Sequence, residues 1–244
     1  MRLLALDAST EACSAALLVD HEVLERYEIA PRRHAELLLP MLESLLAEAG
    51  CALGQMDVLA FGRGPGAFTG LRIAAGVAQG IALGAGLPVA PVSSLVALAQ
   101  GLYRECGAER VLAGIDARMG EVYWGACRLG DEGVMVPVGE EQVCAPEAVP
   151  LPPAGKWHGV GTAWRTYGAA LAARLEEYLA DREGERYPRA RDIAILGAQL
   201  YRQGGAVDAA RALPVYLRDN VVAKNAAALH PSAVEPQEDD PPCS

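Results

Sequence analysis

The chain contains two successive series of apolar runs, and their lengths and spacing predict two similar sets of strands and helices. Runs of about four to eight apolar residues are typical of strands, whereas longer stretches with apolar positions about three and four apart are typical of helices. The first series predicts strands at Leu3–Asp7, Ala15–Val19, Val23–Ile29, 58–61 and 88–92 and helices at Arg33–Ala49, 69–86 and Ser94–Arg104.

The second series begins at Val111 and follows a similar order of elements. It predicts strands at Val111–Asp116, Glu121–Arg128, Val134–Val143 and Trp157–Gly161 and helices near 163–180 and 190–204. This doubling predicts an α/β protein with a first lobe over residues 1–107 and a second over 108–222. The remaining residues, 223–244, are acidic and rich in proline towards their end, which predicts a disordered tail.

Composition excludes several classes of protein. The chain has 244 residues, of which 52% are hydrophobic, and this predicts a folded globular protein. Its net charge of −10 argues against direct gripping of a nucleic-acid backbone, because phosphate contacts need clustered Lys and Arg. The six cysteines form no C-x-x-C pair, and the first apolar run is too short for a secretion signal, so we expect a cytoplasmic protein with reduced thiols.

Residues 73–99 are nearly uncharged and long enough to suggest a membrane span. Pro88 and Pro91 interrupt this stretch, Gln79 lies inside it, and alanine and glycine dominate where leucine would be expected. The sequence therefore predicts a buried helix followed by a short strand, and no membrane partner.

A glycine-rich segment, 62–72, lies between the strand predicted at 58–61 and the helix predicted at 69–86. Glycine permits positive φ and the close approach of an anion or another backbone, and a helix N-terminus favours negative charge. The segment therefore predicts either a phosphate-binding loop around Gly64 and Gly66 or a tight turn that lets the helix pack closely. It is not a Walker A motif, because no Gly-Lys-Ser/Thr follows.

Two predicted helices carry stripes suited to contact. The helix at Arg33–Ala49 has a broad apolar face made by Leu37, Leu38, Met41, Leu42, Leu45 and Leu46. The helix at 69–86 carries Gly76, Gly80 and Gly84 at intervals of four, which flattens one face. Each mid-helix glycine costs roughly 0.5–1 kcal/mol relative to alanine. Close packing must offset this cost, either against the chain's own sheet or against a partner helix.

Several segments together resemble the TsaB (YeaZ) family. The matching segments are Leu4-Ala-Leu-Asp-Ala-Ser-Thr, His34-Ala-Glu-Leu-Leu-Leu-Pro-Met-Leu, Gly62-Arg-Gly-Pro-Gly-Ala-Phe-Thr-Gly-Leu-Arg-Ile, Gly76-Val-Ala-Gln-Gly-Ile-Ala and Asp116-Ala-Arg-Met-Gly-Glu-Val-Tyr-Trp. The resemblance runs from residue 2 to about 127, and Pro214-Val-Tyr-Leu-Arg is similar to the family's ending. It implies two ribonuclease-H-like lobes of the actin-like ATPase (ASKHA) fold.

The resemblance also implies a role in making threonylcarbamoyladenosine beside the tRNA anticodon. In that pathway the transferase is the related protein TsaD, TsaB binds TsaD, and the ATPase TsaE acts on the pair. We expect a heterodimer with TsaD, a homodimer in isolation, and contact with tRNA only through the complex. The interface residues expected on the two striped helices are His34, Leu38, Met41, Leu42, Leu45, Arg72, Gly76, Gly80 and Gly84.

TsaD-type relatives carry a metal-binding His-x-x-x-His where this chain has Ser94 and Leu98. Serine is a weak ligand for a transition metal and leucine is none, so we expect no metal site and no catalytic residue. His34, near Arg32 and Arg33, is expected at the surface or an interface.

A nucleotide site is implied by the fold resemblance, on Asp7, Ser9, Thr10, Gly64, Gly66 and Asp116. Arg118 and Met119 replace the small turn expected after Asp116, and a bulky side chain there would crowd a phosphate. We therefore expect a vestigial site, with no cofactor on the chain alone and ATP or ADP only at the complex interface.

The leading hypothesis is a non-catalytic scaffold and activator of TsaD. The alternative is an autonomous ATPase or small-molecule kinase of the actin-like class, which would bind Mg-ATP through Asp7. A peptidase is disfavoured, because no Ser-His-Asp, Cys-His or zinc motif can be argued from the sequence.

Overall fold

The first of two five-stranded sheets is built from residues that precede position 94. The computed structural model describes residues 1–218, and its first sheet has the strand order β3-β2-β1-β4-β5. Strands β1 to β3 are antiparallel neighbours, whereas β4 and β5 run parallel to β1. The elements are β1 (Arg2–Asp7), β2 (Ala12–Val19), β3 (Glu22–Ile29), α1 (His34–Glu48), β4 (Val58–Gly64), α2 (Phe68–Ala85), β5 (Val89–Ser93) and α3 (Ser94–Cys106).

The second sheet repeats this topology. Its order is β10-β9-β6-β7-β8, with an antiparallel meander of three strands followed by two strands parallel to its first. The elements are β6 (Arg110–Arg118), β7 (Glu121–Leu129), β8 (Met135–Cys144), β9 (Trp157–Val160), α4 (Thr162–Thr166), α5 (Gly168–Leu175), β10 (Leu179–Glu183) and α6 (Ala190–Arg202). The predicted pair of ribonuclease-H-like lobes is thereby confirmed.

The first sheet is covered on both faces, which explains its nearly continuous apolar strands. Helices α1 and α2 cover one face, where Leu38, Leu42 and Leu45 pack with Leu4 and Phe61. Helix α6 covers the opposite face, and α3 packs both on α6 and on the strands of the second sheet. At Gly197 of α6 an added Cβ would lie 2.5 Å from the Ala60 Cβ, so glycine permits this close approach.

The helices that follow the two repeats are exchanged between the lobes. Helix α6 comes after the second sheet in sequence but packs on β1, β2, β4 and β5 of the first. Arg104 of α3 donates to buried Asp192 of α6 at 2.8 Å, which joins the two exchanged helices. The predicted second lobe, 108–222, is therefore wrong for residues 190–202, because a boundary along the chain cannot represent a helix that returns.

The helical prediction near 163–180 is confirmed as far as residue 175 and is wrong beyond it. The chain forms α4 and α5 there and then β10, whose residues are exposed apart from the half-buried Leu179. Such a strand has no alternation of apolar and polar residues by which the sequence could predict it. It forms through parallel pairing with β9. The predicted tail at 223–244 lies outside the described residues.

The stretch 73–99 is divided as predicted. Helix α2 is long and apolar enough to cross a membrane by length and composition alone. It ends at Gly86, which has a left-handed φ of 66°, and β5 and α3 follow. One side packs on the first sheet through residues such as Leu71, Ala74 and Ala78, but only about a third of the helix is buried, so the prediction of a buried helix is wrong for its outer side.

Candidate functional site

A cleft of about 1140 Å³ opens between the two lobes. Its walls are the β1–β2 turn, the first turn of α2, the end of β6, part of α4 and the segment 215–218. Six of the predicted site residues line it, namely Ser9, Thr10, His34, Gly66, Arg72 and Asp116. Asp7 and Gly64 are buried and do not line it.

The glycine-rich loop packs directly on the β1–β2 turn. The Ala67 amide donates to the Ser9 carbonyl at 2.7 Å. An added Cβ would lie 2.2 Å from the Ser9 oxygen at Gly66 and 1.9 Å from the Ala8 oxygen at Gly70. Both positions therefore need glycine for contact between backbones, which supports the tight-turn interpretation of the loop.

Asp7, at the end of β1, is sealed from the cleft. Its Oδ1 accepts hydrogen bonds from the Ser9 amide at 3.2 Å and the Ser9 hydroxyl at 2.8 Å. Burial raises the pKa of Asp7 to about 7, although both hydrogen bonds act in the opposite direction. The second carboxylate oxygen faces Gly62, where a Cβ would lie only 2.1 Å away. Asp7 is thus fully buried and does not line the cleft, and its predicted place in a vestigial nucleotide site stays a prediction.

Thr10 and Gly64 also have structural contacts. The Thr10 hydroxyl accepts from the Ala12 amide at 3.4 Å. Gly64 has a φ of 104°, and an added Cβ would lie 2.9 Å from Leu71 and 3.0 Å from the Val215 carbonyl oxygen. Gly64 thus lets the end of β4 pass between α2 and the segment that contains Val215.

Asp116, at the equivalent position in the second lobe, lies at the cleft but is already engaged. Its carboxylate accepts from the Arg118 amide at 2.8 Å, the Arg118 guanidinium at 3.2 Å and the Thr166 hydroxyl at 3.2 Å. The Tyr167 hydroxyl adds a longer hydrogen bond of 3.4 Å. These donors leave Asp116 poorly placed to hold Mg²⁺ through water.

Arg118 bridges the two turns that face each other across the cleft. Its guanidinium lies 2.9 Å from Glu11 in the first lobe and 3.2 Å from Asp116 in the second. Arg118 and Met119 both have left-handed backbones, with φ of 62° and 56°. This conformation is costly for residues other than glycine and marks the turn as strained. Of the two bulky residues predicted at this turn, Arg118 lines the cleft, whereas Met119 is exposed and does not line it.

Arginines are concentrated around the cleft even though the whole chain is acidic. The cations that line it are Arg32, Arg72, Arg118, Arg165 and Arg218, against Glu11 and Asp116. Arg165 contacts Glu185 at 3.2 Å, and Arg218 forms an ion pair with Glu121. The cleft therefore carries a net positive charge within a chain of net charge −10.

An exposed aromatic pair at the cleft was missed by sequence reasoning. The rings of Phe68 and Tyr216 lie 5.4 Å apart, and the Arg72 guanidinium lies 3.9 Å above the Phe68 ring. Arg72 also donates to the Tyr216 hydroxyl at 3.3 Å. Both aromatic residues stand inside segments that resemble the family, but their contact joins positions far apart in the chain, and no local pattern reveals it.

The predicted contact residues of α1 are only partly exposed. Leu38, Leu42 and Leu45 are buried against the first sheet, which contradicts their predicted place at an interface. His34 is buried as well, and its Nε2 lies 3.2 Å from the Ala12 carbonyl oxygen, where it can donate a hydrogen bond. The apolar face is broad enough that its centre packs inwards, and its half-buried residues near the surface are Leu37, Met41 and Leu46.

The glycine stripe of α2 faces outwards. Gly76, Gly80 and Gly84 are exposed, and a Cβ added at any of them meets nothing within 4 Å. Leu83, beside the stripe, is 79% exposed. Packing of the stripe against the chain's own sheet is therefore excluded among the described residues.

Ser94 and Leu98 are buried on one side of α3 with the apolar core around them. The Ser94 hydroxyl has no hydrogen-bond partner among the described residues. Within residues 1–218, no cluster of three His, Cys, Asp or Glu side chains is arranged to hold a metal ion.

The chain is similar to known proteins in both sequence and structure. Residues 19–226 match the family model described as TsaD, tRNA N6-adenosine threonylcarbamoyltransferase. The tRNA threonylcarbamoyladenosine biosynthesis protein TsaB of Escherichia coli (strain K12) is 44% identical over 92% of this chain and 97% of its own length. The TsaB of Haemophilus influenzae is 42% identical over 92% and 96%. The solved structure of YeaZ from Pseudomonas aeruginosa is 50% identical with a TM-score of 0.83, covering 88% of this chain and 99% of that one.

Proposed function

The chain belongs to the TsaB (YeaZ) family and takes part in tRNA threonylcarbamoyladenosine biosynthesis, and from this premise we propose that it is a non-catalytic partner that activates the TsaD transferase. The chain would hold TsaD in its active form through a bundle built from α1 and α2 and the equivalent helices of the partner.

The exposed glycine stripe is the observation that carries this proposal. Three mid-helix glycines together cost about 1.5–3 kcal/mol relative to alanine. Close packing within the described residues does not offset this cost, because nothing lies within 4 Å of the added Cβ positions. A flat helix face of this kind lets a second backbone approach closely, so a partner helix accounts for the stripe.

Larger side chains flank the stripe and would fit grooves in the partner. Ile73, Val77 and Ile81 of α2 are half-buried, and Leu83 is almost fully exposed. Helix α1, which packs beside α2, adds half-buried Met41 and exposed Leu39. Contact between apolar side chains around a flat centre is typical of stable protein interfaces.

The two aspartate turns support a role without catalysis. Asp7 is buried under Ser9, and Asp116 is bonded to Arg118 and to the Thr166 hydroxyl. Neither carboxylate is arranged to hold a metal-bound phosphate, which disfavours the alternative of an autonomous ATPase or kinase. We propose that ATP or ADP binds only at the complex interface.

The remaining parts of the proposal follow from the family. The isolated chain would form a homodimer through the same exposed helix face, since large apolar patches associate when a partner is absent. TsaE would act on the pair, tRNA would be reached only through the complex, and all of this would take place in the cytoplasm.

The test is the substitution Gly80→Leu. A Cβ added at Gly80 meets no atom within 4 Å among residues 1–218, and the change removes a mid-helix glycine, so the variant should unfold at or slightly above the wild-type temperature. It should nevertheless bind TsaD at least about fivefold more weakly, because overpacking costs roughly 1–3 kcal/mol. Binding and thermal unfolding are measured on the same sample.

Ala173→Leu is the matched control, because it adds an exposed leucine to α5 of the other lobe. This variant should bind TsaD normally. A stable Gly80→Leu protein with unchanged affinity for TsaD would refute the interface.

Catalytic silence is tested with threonine, bicarbonate, ATP, tRNA and the enzyme that makes threonylcarbamoyl-adenylate. The isolated chain should yield no modified tRNA, and addition of TsaD should restore the reaction. Modified tRNA formed without TsaD would show that the chain is itself the transferase.

A further inference from the structure

The positive charge of the cleft calls for an acidic occupant. Of the five arginines that line it, Arg118 is shared by Glu11 and Asp116, and Arg165 and Arg218 pair with Glu185 and Glu121, so Arg32 and Arg72 are the two without a carboxylate partner among the described residues. Arg72 lies over an aromatic ring and donates to a tyrosine hydroxyl rather than to a carboxylate. The first turn of α2 also faces the cleft, and its N-cap residue, Ala67, makes no side-chain capping hydrogen bond. An anionic segment would find several donors here.

The sequence that follows the described residues contains such a segment. Residues 235–240 include four acidic side chains and no basic one: Glu235, Glu238, Asp239 and Asp240. Lys224 is the single basic residue between Asn220 and Val234. The acidic segment is therefore opposite in charge to the cleft, whereas the remainder of this net-negative chain repels it.

The acidic segment is tethered at the cleft itself. Arg218, the last described residue, lines the cleft. Sixteen residues separate Arg218 from Glu235, and a fully extended chain of that length spans roughly 55 Å. A tether of this size gives the segment an effective concentration on the order of millimolar at the cleft, so even weak ion pairs contribute to its binding.

A second group of arginines, around Arg104 and Arg189, is a poorer docking site for the acidic segment. Arg104 and Arg189 are paired with Asp192 and Glu25, and the cavity beside them measures about 90 Å³. This cavity is too small for a peptide, and its acidic lining would repel an acidic one. The large cleft is thus the site with both the charge and the space.

We propose that residues 235–240 of the chain dock in the arginine-lined cleft between the lobes. The docked segment covers the first turn of α2, including Phe68 and Arg72. Any competition with TsaD for that turn rests on the proposed function, but the docking itself does not. It is measured on the isolated full chain, so its failure and the failure of the TsaD interface are distinguishable.

The experiment compares amide hydrogen exchange in the full chain and in the variant E235Q/E238Q/D239N/D240N. Docking predicts slower exchange in the wild type for amides within 66–73 and 116–121. The difference should disappear at about 1 M salt, where the Debye length falls to roughly 3 Å. A peptide with the sequence of residues 232–242, added to the variant, should restore the lost protection.

The control is D131N/E132Q/E147Q/E177Q, which removes four exposed acidic charges elsewhere and changes the net charge equally. It should keep wild-type protection at the cleft. Equal exchange in the wild type and the tail variant at low salt would overturn the proposal. Faster exchange in the control would overturn it too, since overall charge would then be the cause. Loss of the protection on dilution would also overturn the proposal, because the segment would then bind the cleft of a second copy and not its own.

Discussion

The β1–β2 and β6–β7 turns occupy equivalent positions in the two lobes, but the surroundings of their aspartates differ. In the first turn Ala8 and Ser9 are small, the glycine-rich loop packs on them, and Asp7 is fully buried. In the second turn Arg118 and Met119 are large and strained, and Asp116 stays at the cleft with a guanidinium beside it. The duplicated fold thus preserves the position of the carboxylate, while the neighbouring side chains decide what the carboxylate can do.

Packing at the first turn should give the largest effect. Gly70→Ala places a Cβ 1.9 Å from the Ala8 carbonyl oxygen, and backbone cannot move aside as a flexible side chain can. We expect a loss of more than about 3 kcal/mol in the free energy of unfolding, at or beyond the upper end of overpacking. Urea denaturation measures this loss.

Two controls complete the comparison of the turns. Gly120→Ala, at the open second turn, meets no atom within 4 Å but has a φ of 78°, so it should cost about 1–2 kcal/mol. Gly76→Ala, on the exposed side of α2, should stabilise the protein by about 0.5–1 kcal/mol. Equal losses at Gly70 and Gly120 would contradict the difference in packing.

The buried carboxylate should make stability depend on pH. The pKa of Asp7 is about 7 in the folded chain against an ordinary value of 3.8, so the folded state holds a proton that the unfolded state has released between these values. Stability therefore falls as pH rises through this window, by up to about 4 kcal/mol. Asp7→Asn should remove that slope and be more stable than the wild type at pH 8.

Asp116→Asn serves as the control, because it leaves Asp7 in place and should retain the wild-type slope. The free energy of unfolding is measured in urea at intervals from pH 4 to pH 8. A wild-type slope that persists in Asp7→Asn would show that the buried aspartate is not its source.

The smallest effect is expected at Arg118. Arg118→Gly loses ion pairs with Glu11 and Asp116, each worth about 0.2–1 kcal/mol at an exposed site. It also removes a left-handed conformation that costs about 1–2 kcal/mol in other residues. We expect a net stabilisation of less than about 1 kcal/mol by thermal unfolding. Arg118→Ala loses the same ion pairs but keeps the strain, so it should be less stable than Arg118→Gly; equal stabilities would disprove the strain.

The sequence predicted the two lobes because strands and helices leave local periodic patterns. The runs that became β1, β4 and β6 are apolar over most of their length, and the structure buries them. The glycine-rich segment was identified as a turn of special geometry, but its neighbour was unknown. Contact between Gly70 and Ala8 depends on where α2 crosses β1, and local pattern carries no information about that crossing.

Most of the elements, their duplicated order and the acidic balance could be predicted from the sequence, since each is a property of neighbouring residues or of composition; the exposed strand β10 could not. Tertiary structure alone decided which leucines of α1 face the sheet, because its apolar face is wider than one packing surface. It also decided the exchange of α3 and α6, the outward direction of the glycine stripe and the bridge from Arg118 to Glu11. Each of these features depends on how segments distant in sequence are arranged, and such contacts contribute free energy only once both lobes are folded.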